Sequence, residues 1–409
     1  MNRNDRSIVG VAMLAHAMVH TYELSIPILV TVWLDVFSVT EATIGLVVSA
    51  GYALFGLGAL PGGVLADTYG SRPLIIACLV GMGGSFLLLS VAPGVGFVAV
   101  ALLVWGAAAS VYHPSGLSLI SKGVSQRGTA FAYHGMAGNL GIAVGPLATA
   151  VLLLAFDWRT VAGLLAVPAG LAVLLALAVD FDETASVEAT DGGTSPDSKA
   201  DTGSSLPELV SESRRLFTVG FASVFAVVML SGLYYRGALT FLPDLLSDLP
   251  LFDPVTVGAR TLEPSRYLYA GLLVVGIAGQ YAGGKLTDRM RTERGLAMGF
   301  GGLALVAVLF VPAANAGLLA LLAISAVLGF ALFFVQPFYQ ATVAEYAPAG
   351  LRGLSYGYTY LGVFGVGALG AAMAGFILTY ATSSGLFLVL AAIALTASLL
   401  AAWLLRRGD

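Results

Sequence analysis

The sequence predicts an all-α integral membrane protein: twelve transmembrane helices in two pseudo-symmetric six-helix bundles. Three observations carry that prediction. Over 409 residues, 58% are hydrophobic, only 10% are charged and mean hydropathy is +0.91, a balance far from that of soluble domains. A crossing of the hydrocarbon core takes about 20 apolar residues, and the chain offers about twelve such stretches with polar breaks between them. Finally, Gly63-Val64-Leu65-Ala66-Asp67-Thr68-Tyr69-Gly70-Ser71-Arg72 returns in altered form as Gly284-Lys285-Leu286-Thr287-Asp288-Arg289-Met290-Arg291, each time after the second apolar segment of its half.

The first six segments run approximately Ile8 to Phe37, Ile44 to Ala66, Leu74 to Ala92, Val95 to Ile120, Thr129 to Phe156 and Val161 to Val179. The second six run approximately Leu216 to Leu242, Tyr267 to Leu286, Leu296 to Val311, Leu318 to Val343, Leu354 to Tyr380 and Leu386 to Leu405. Lipid offers no hydrogen-bond partners, so each must be a helix or belong to a closed barrel. Unbroken apolarity, in place of alternation, selects helix. The first segment, with Arg3, Arg6 and Ala15-His16-Ala17, imitates a secretory signal. Its apolar run continues to Phe37, well beyond the roughly 7 to 15 residues of a signal's apolar region, so it is expected to be retained as a helix.

Residues 1–180 are assigned to the first bundle and 214–409 to the second. Between them, 181–213 changes character: Asp182, Glu183, Glu188, Asp191, Asp197, Asp201, Glu208 and Glu212 face a single Lys199, the composition of a flexible, solvated linker. Orientation follows the basic residues. With the N-terminus cytoplasmic and twelve alternating crossings, 15 fall on the cytoplasmic side and three outside (Arg159, Arg260, Arg266), leaving Arg236 inside a span. Both termini and the linker are therefore expected in the cytoplasm. The lone Cys78 sits in the third segment and gives no disulfide framework.

Duplicated membrane bundles point to transport. The repeated loop resembles the motif Gly-x-Leu-Ala-Asp-Arg-x-Gly-Arg-Lys of the major facilitator superfamily, and the resemblance covers the whole chain. The first copy matches at Gly63, Leu65, Ala66, Asp67, Gly70 and Arg72, with Thr68 and Ser71 where basic residues are common. The second keeps Gly284, Leu286, Asp288 and Arg289 but has Arg291 in place of glycine. The resemblance implies that Asp67, Arg72, Asp288 and Arg289 act at a cytoplasmic gate between the halves. A narrower likeness lies in Tyr112-His113-Pro114, Arg127-Gly128, Gly135 to Gly141, Gly145-Pro146 and Arg236 followed by Leu239-Thr240-Phe241-Leu242-Pro243. These resemble the fosmidomycin-resistance type of facilitator, which implies drug export.

Ionisable residues at membrane depth point to mechanism, since each costs about 2.5 to 3.5 kcal/mol at a helix centre. His16, His20 and Glu23, spaced by four and three, lie within roughly 60° on one helix face. Pro27 follows His20 by seven residues and Pro243 follows Arg236 by seven, placing His20 and Arg236 at similar depth on opposite walls. Two cationic groups there point to an anionic substrate, with Arg236 supplying a fork of donors, and Glu23 and the histidines are proton carriers. The competing reading is that Arg236 pairs with Glu23 to hold the bundle together. His113 and His134 lie at comparable distances from one turn and are expected to meet. Gln336-Pro337 takes the place of His113-Pro114 in the repeat, and Tyr112 and Tyr234 are further candidates for the binding surface.

The predicted function is proton-coupled secondary transport by alternating access, exporting a small organic anion or drug; the rival is proton-coupled anion uptake. An intramembrane metalloenzyme or metal receptor using His16, His20 and Glu23 on zinc is the alternative of another class, opposed by the absence of His-Glu-x-x-His and of a cysteine cluster. No Gly-x-x-x-x-Gly-Lys-[Ser/Thr] loop is present for a nucleotide-driven pump. The expected partners are the lipid bilayer of the cytoplasmic membrane, a small anionic solute and protons. No enzymatic activity, cofactor, metal or nucleic acid is assigned, and a monomer is expected.

Overall fold

The computed structural model describes residues 1–188, 206–258, 260–348 and 350–407. The first half comprises α1 (Arg3–Phe37), α2 (Glu41–Leu57), α3 (Ala59–Tyr69), α4 (Ser71–Ser90), α5 (Val95–Ser110), α6 (Tyr112–Gly123), α7 (Arg127–Leu152) and α8 (Trp158–Ala178). Two short helices, α9 (Ala185–Glu188) and α10 (Leu206–Leu216), flank the acidic stretch. The second half comprises α11 (Val219–Leu239), α12 (Leu242–Ser247), α13 (Pro264–Thr287), α14 (Thr292–Ala316), α15 (Leu318–Tyr346), α16 (Arg352–Tyr360), a π-helical turn at Leu361–Val366, α17 (Leu369–Tyr380) and α18 (Ser383–Arg407).

Among the described residues, ten or eleven of the twelve expected crossings stand out by length and composition. Ten spans are long and apolar enough to traverse a membrane, and the pair α2 and α3, bent by 44° at Gly58, makes an eleventh. The twelfth, α13, has 24 residues, about 36 Å of helix. Its Tyr267, Tyr269, Gln280 and Tyr281 dilute its hydropathy. Several apolar segments are broken where the sequence explains it. Pro114 sits in the first turn of α6, where it lacks an N–H and disfavours a continuous helix through the preceding residues, so α5 ends at Ser110 and α6 restarts at Tyr112. Pro243 likewise separates α12 from α11.

Glycines set the approach of helices, the packing device expected in membranes. A Cβ on Gly141 would lie 2.2 Å from the Ala17 carbonyl oxygen, and one on Gly145 would lie 2.4 Å from that of Thr21. This face of α7 therefore lies directly against α1.

The two ends of the bundle differ. One, here the basic end, carries Asp67, Arg72, Lys122 and Arg127. At the other, α2 packs on α17: Ser49 Oγ donates to the Ala368 carbonyl at 2.8 Å, and the Ala42 N–H donates to Thr379 Oγ1 at 2.8 Å. Arg266 of α13 reaches Thr31 Oγ1 of α1 at 3.4 Å. This opposite end also holds a hairpin, Val255–Val257 with Arg260–Leu262, in the register Val255 to Leu262, which the sequence reading left as loop.

The flanks of the acidic stretch are anchored rather than free. Asn4 Oδ1 accepts from the Asp182 N–H at 2.8 Å, and the Glu183 carboxylate accepts from the N–H groups of Ser71 and Arg72 at 2.7 and 3.2 Å. A carboxylate on a helix N-terminus meets both unpaired N–H groups and the helix dipole. On the far side Tyr358 donates to Ser213 Oγ at 2.8 Å. Of the stretch 181–213 expected as a flexible linker, Asp182 and Glu183 are thus hydrogen-bonded to the first half and Ser213 to the second, and residues 189–205 lie outside the described residues.

Candidate functional site

A cavity of about 1030 Å³ lies between the halves. It runs from Glu23 at its inner end to Asp67, Lys122 and Glu212 at the basic end. Residues of the opposite end, sealed by α2 against α17, do not line it. The molecule is thus described in a state accessible from the basic end.

The chain has four histidines, and all four gather at the inner part of this cavity. The first-helix face and the pair His113 and His134, read from the sequence as two clusters, are one. The His16 ring stacks on that of His134 at 3.8 Å, and His113 lies edge-on to His16 at 5.3 Å and to His20 at 5.6 Å. His16, His113 and His134 are buried, while His20 is partly exposed to the cavity.

Hydrogen-bond chemistry fixes most of the protons. His16 Nδ1 lies 2.7 Å from the His134 carbonyl oxygen, which can only accept, so Nδ1 carries a hydrogen. Tyr112 donates its hydroxyl to the Ala12 carbonyl and lies 3.1 Å from His134 Nε2, so His134 donates from Nε2. Next in line, His16 Nε2 faces His20 Nε2 at 3.1 Å, and His20 Nδ1 faces Glu23 Oε2 at 2.5 Å. Each of these two contacts needs one hydrogen. Two neutral imidazoles and a carboxylate leave only one hydrogen for the two places. Both bonds form only when the three groups share one extra proton, and that proton has three possible seats: His16, His20 or Glu23.

The other Glu23 oxygen accepts from Arg236 in a buried ion pair. Glu23 is 1% and Arg236 2% exposed. The guanidinium also lies over the Tyr52 ring at 3.6 Å, a cation–π contact strengthened by desolvation, and Tyr52 donates to the Glu23 carbonyl at 3.0 Å. Arg236 does not line the cavity. The pairing considered as the alternative is the geometry present in this state, and His20 and Arg236 meet through Glu23 instead of facing each other across open space. Among the described residues, Arg236 Nε has no hydrogen-bond partner.

Other sequence candidates divide. Gln336 and Tyr234 line the cavity from the second half, although Tyr234 already donates to the Leu303 carbonyl at 3.1 Å and so offers its ring. Tyr112 lies behind the wall, where it orients His134. At the basic end Asp67 pairs with Lys122 at 2.7 Å, both partly exposed and within one half. Arg72 donates to the carbonyls of Ala176 and Leu177 at 3.0 and 3.1 Å, a cation on the last turn of α8 that complements its dipole. Asp288 caps α13 at its C-terminal end, with Arg289 beside it. Among the described residues these four make no bridge between the halves.

Sequence reasoning missed Tyr52, Phe364 and Gln280. Phe364, on the π-helical turn, stacks on Phe55 at 4.4 Å and lies 5.7 Å from both His113 and Arg236. Gln280 lines the cavity with its buried Oε1 unpartnered among the described residues.

Comparison with known proteins places this geometry. The family described as Major Facilitator Superfamily matches residues 7–371. An uncharacterised MFS-type transporter of Mycobacterium tuberculosis is 39% identical over 100 residues, covering 24% of this chain and 23% of that protein. The puromycin resistance protein of Streptomyces alboniger is 34% identical over 116 residues, covering 28% and 23%. The chain thus spans under a quarter of the length of these curated relatives. A crystal structure of a peptide transporter in complex with sulfate superposes with a TM-score of 0.77 at 15% identity, over 98% of this chain and 95% of that one, which speaks for the fold. With nearly its whole length matched by the family, the chain belongs to the Major Facilitator Superfamily.

Proposed function

We propose that this chain is a proton-coupled secondary transporter that works by alternating access and exports a small organic anion or drug, in the manner of the fosmidomycin-resistance type it resembles. The observation that carries the reading is the hydrogen-bonded line from His16 through His20 and Glu23 to Arg236 at the inner end of a cavity accessible from one side. A proton held there is buried when that end is sealed, and it interacts with the charge pair that joins the two halves. Glu23 and His20 carry the proton, His16 and His134 extend its path toward the cavity, and His113, Gln336 and Tyr234 contact the solute.

The basic end is assigned to the cytoplasm by the 15 to three distribution of Lys and Arg, so the state described faces inward. Asp67, Arg72, Asp288 and Arg289 are assigned to the cytoplasmic gate. Asp67 would exchange its partner Lys122 for a contact across the halves as that gate closes. Export takes support from the similarity to the puromycin resistance protein of Streptomyces alboniger. Anion uptake by symport is favoured by a different observation, the engagement of Arg236 by Glu23.

The test is a solute panel on the purified protein in liposomes, with and without an imposed proton gradient. Gradient-dependent flux of at least one organic solute is expected, abolished in Glu23→Gln. Absence of any gradient dependence overturns the coupling, and flux confined to inorganic cations overturns the role assigned to Arg236.

A further inference from the structure

Beyond a proton path, the histidine cluster has the arrangement of a metal site. We propose that His16, His20 and His113 bind one divalent transition metal ion of the zinc class, entering from the cavity and displacing the shared proton.

One ring nitrogen from each of these three residues lies within 4.8 Å of the other two. In a tetrahedral zinc site, Zn–N bonds of 2.0–2.1 Å hold ligand nitrogens about 3.4 Å apart. His16 Nε2 and His20 Nε2, at 3.1 Å, already stand at nearly that separation. His113 supplies the third nitrogen, within 4.8 Å of the other two, and the set draws together on the ion to reach that spacing.

The strongest evidence is behind the ligands. A metal-binding imidazole usually donates its other ring N–H to a carbonyl or carboxylate, which fixes the tautomer and aims the free lone pair at the ion. His16 Nδ1 donates to the His134 carbonyl at 2.7 Å, and His20 Nδ1 meets the Glu23 carboxylate at 2.5 Å. Both supports therefore leave Nε2 facing the same point. Three imidazoles with no cysteine suit zinc, copper, nickel or cobalt and are poor ligands for magnesium or calcium. The fourth position opens on the cavity.

Charge is also accommodated. Arg236 is the nearest permanent cation, and Glu23 already neutralises it. This set differs from the zinc alternative above, because Glu23 supports His20 from behind and does not bind the ion. The proton balance follows from the tautomers. With metal bound, His16 and His20 each keep only Nδ1–H and Glu23 is a carboxylate, so the one extra proton leaves. Metal and transport proton compete for the same two lone pairs.

The experiment is calorimetric titration of Zn²⁺ into the purified full-length protein in detergent at pH 7, repeated in buffers of different ionisation enthalpy. One ion bound with about one proton released is expected. His16→Ala, His20→Ala and His113→Ala should each weaken binding at least tenfold. Glu23→Gln should weaken it by about 10- to 100-fold, as outer-shell partners do, and His134→Ala, which keeps the backbone carbonyl but removes the ring stacked on His16, should weaken it less than any of the three ligand variants. Mg²⁺ should not compete.

No stoichiometric binding, binding without proton release, or binding unchanged in the His16→Ala/His20→Ala double variant overturns the proposal. Should the ligand variants fail to fold, X-ray absorption of Zn²⁺-loaded wild-type protein decides. Three imidazole ligands support the site, and an oxygen-dominated shell refutes it. None of these readouts depends on transport, so the site stands or falls separately from the proposed function.

Discussion

Glu23→Gln separates a proton carrier from a structural clasp. Glu23 is 1% exposed and lies between His20 and Arg236. Removing one member of a buried ion pair costs about 3–5 kcal/mol because the other charge is left uncompensated. Gln avoids part of that loss. Its carbonyl can still accept from Arg236, and a hydrogen bond to a charged group is worth about 1.5–3 kcal/mol. Its amide can donate to His20 Nδ1, the role of a protonated Glu23. The net destabilisation expected is therefore about 1–3 kcal/mol, against about 3–5 kcal/mol for Glu23→Ala. The Gln variant should remain monodisperse, with thermal unfolding between wild type and the Ala variant. In liposomes it should lose accumulation driven by a pH gradient yet keep solute exchange between equal concentrations on the two sides, because it holds the loaded configuration without titrating. Gradient-driven accumulation that survives Glu23→Gln refutes the carrier role. Loss of exchange as well, in protein that is still folded, assigns Glu23 to architecture instead.

Three further expectations concern the ends of the bundle. A Cβ on Gly375 would lie 2.1 Å from the Glu41 carbonyl oxygen, and overpacking of this kind costs about 1–3 kcal/mol. Gly375→Ala should thus shift the population toward opening of that end, raising labelling of a Ser49→Cys probe by an impermeant thiol reagent; unchanged labelling refutes the assignment of the seal. Asp248 has its carboxyl raised above the usual range, by burial first and then by Glu41 and Asp35. Its charged form is penalised here, so this closed arrangement is favoured at low pH and weakens as pH rises through the raised value; Asp248→Asn should flatten the pH dependence of the same labelling, and an unaltered profile counts against it. Asp157 accepts from the N–H groups of Arg159 and Thr160 at the start of α8, and its carboxyl is held low by its bond to the Thr160 hydroxyl. Asp157→Ala should cost about 0.5–2 kcal/mol, a difference in thermal unfolding that is full at neutral pH and shrinks as acid protonates the wild-type carboxylate; a gap independent of pH would show that the cap is not the cause.

What the sequence made legible depends on which signals are periodic. Apolar stretches need only length and hydropathy, and the weakest of them, α13, is diluted by Tyr267, Tyr269, Gln280 and Tyr281. The face shared by His16, His20 and Glu23 follows from helix geometry alone. The meeting of all four histidines does not, because it depends on how α1, α6 and α7 approach, and that approach is set by Gly141 and Gly145 against the backbone of α1. Tyr52 escaped notice for a related reason. In an apolar helix it reads as packing, and only the fold brings Arg236 over its ring. The repeat set His20 and Arg236 on opposite walls and could not show that both reach Glu23, since internal symmetry says nothing of the reach of a long side chain. The docking of Glu183 on α4 was hidden by composition, as a carboxylate in an acidic run looks solvated until a helix N-terminus is placed beside it.

The Glu23–Arg236 pair also sets the sign of coupling between proton and solute. An anion that binds Arg236 has to displace the Glu23 carboxylate, and a carboxylate leaves a guanidinium most readily once protonated. Anion and proton then favour each other's binding, and linkage makes the effect reciprocal. A typical coupling of about 1–3 kcal/mol corresponds to about 5- to 150-fold tighter anion binding in acid. Such a pair travels together, as in symport. Exchange of proton for solute needs the reverse, a solute that binds better once the proton has left, and a neutral or cationic group lodged against the carboxylate or the free imidazole lone pairs meets that need. Anion recognition by Arg236 and export by proton exchange therefore pull in opposite directions, and one equilibrium measurement separates them. Solute affinity of the purified protein, measured across pH 5 to 8, should rise with acid if Arg236 holds an anion and fall with acid if the solute replaces the proton. An affinity independent of pH, in wild type and Glu23→Gln alike, would detach the substrate from this network altogether.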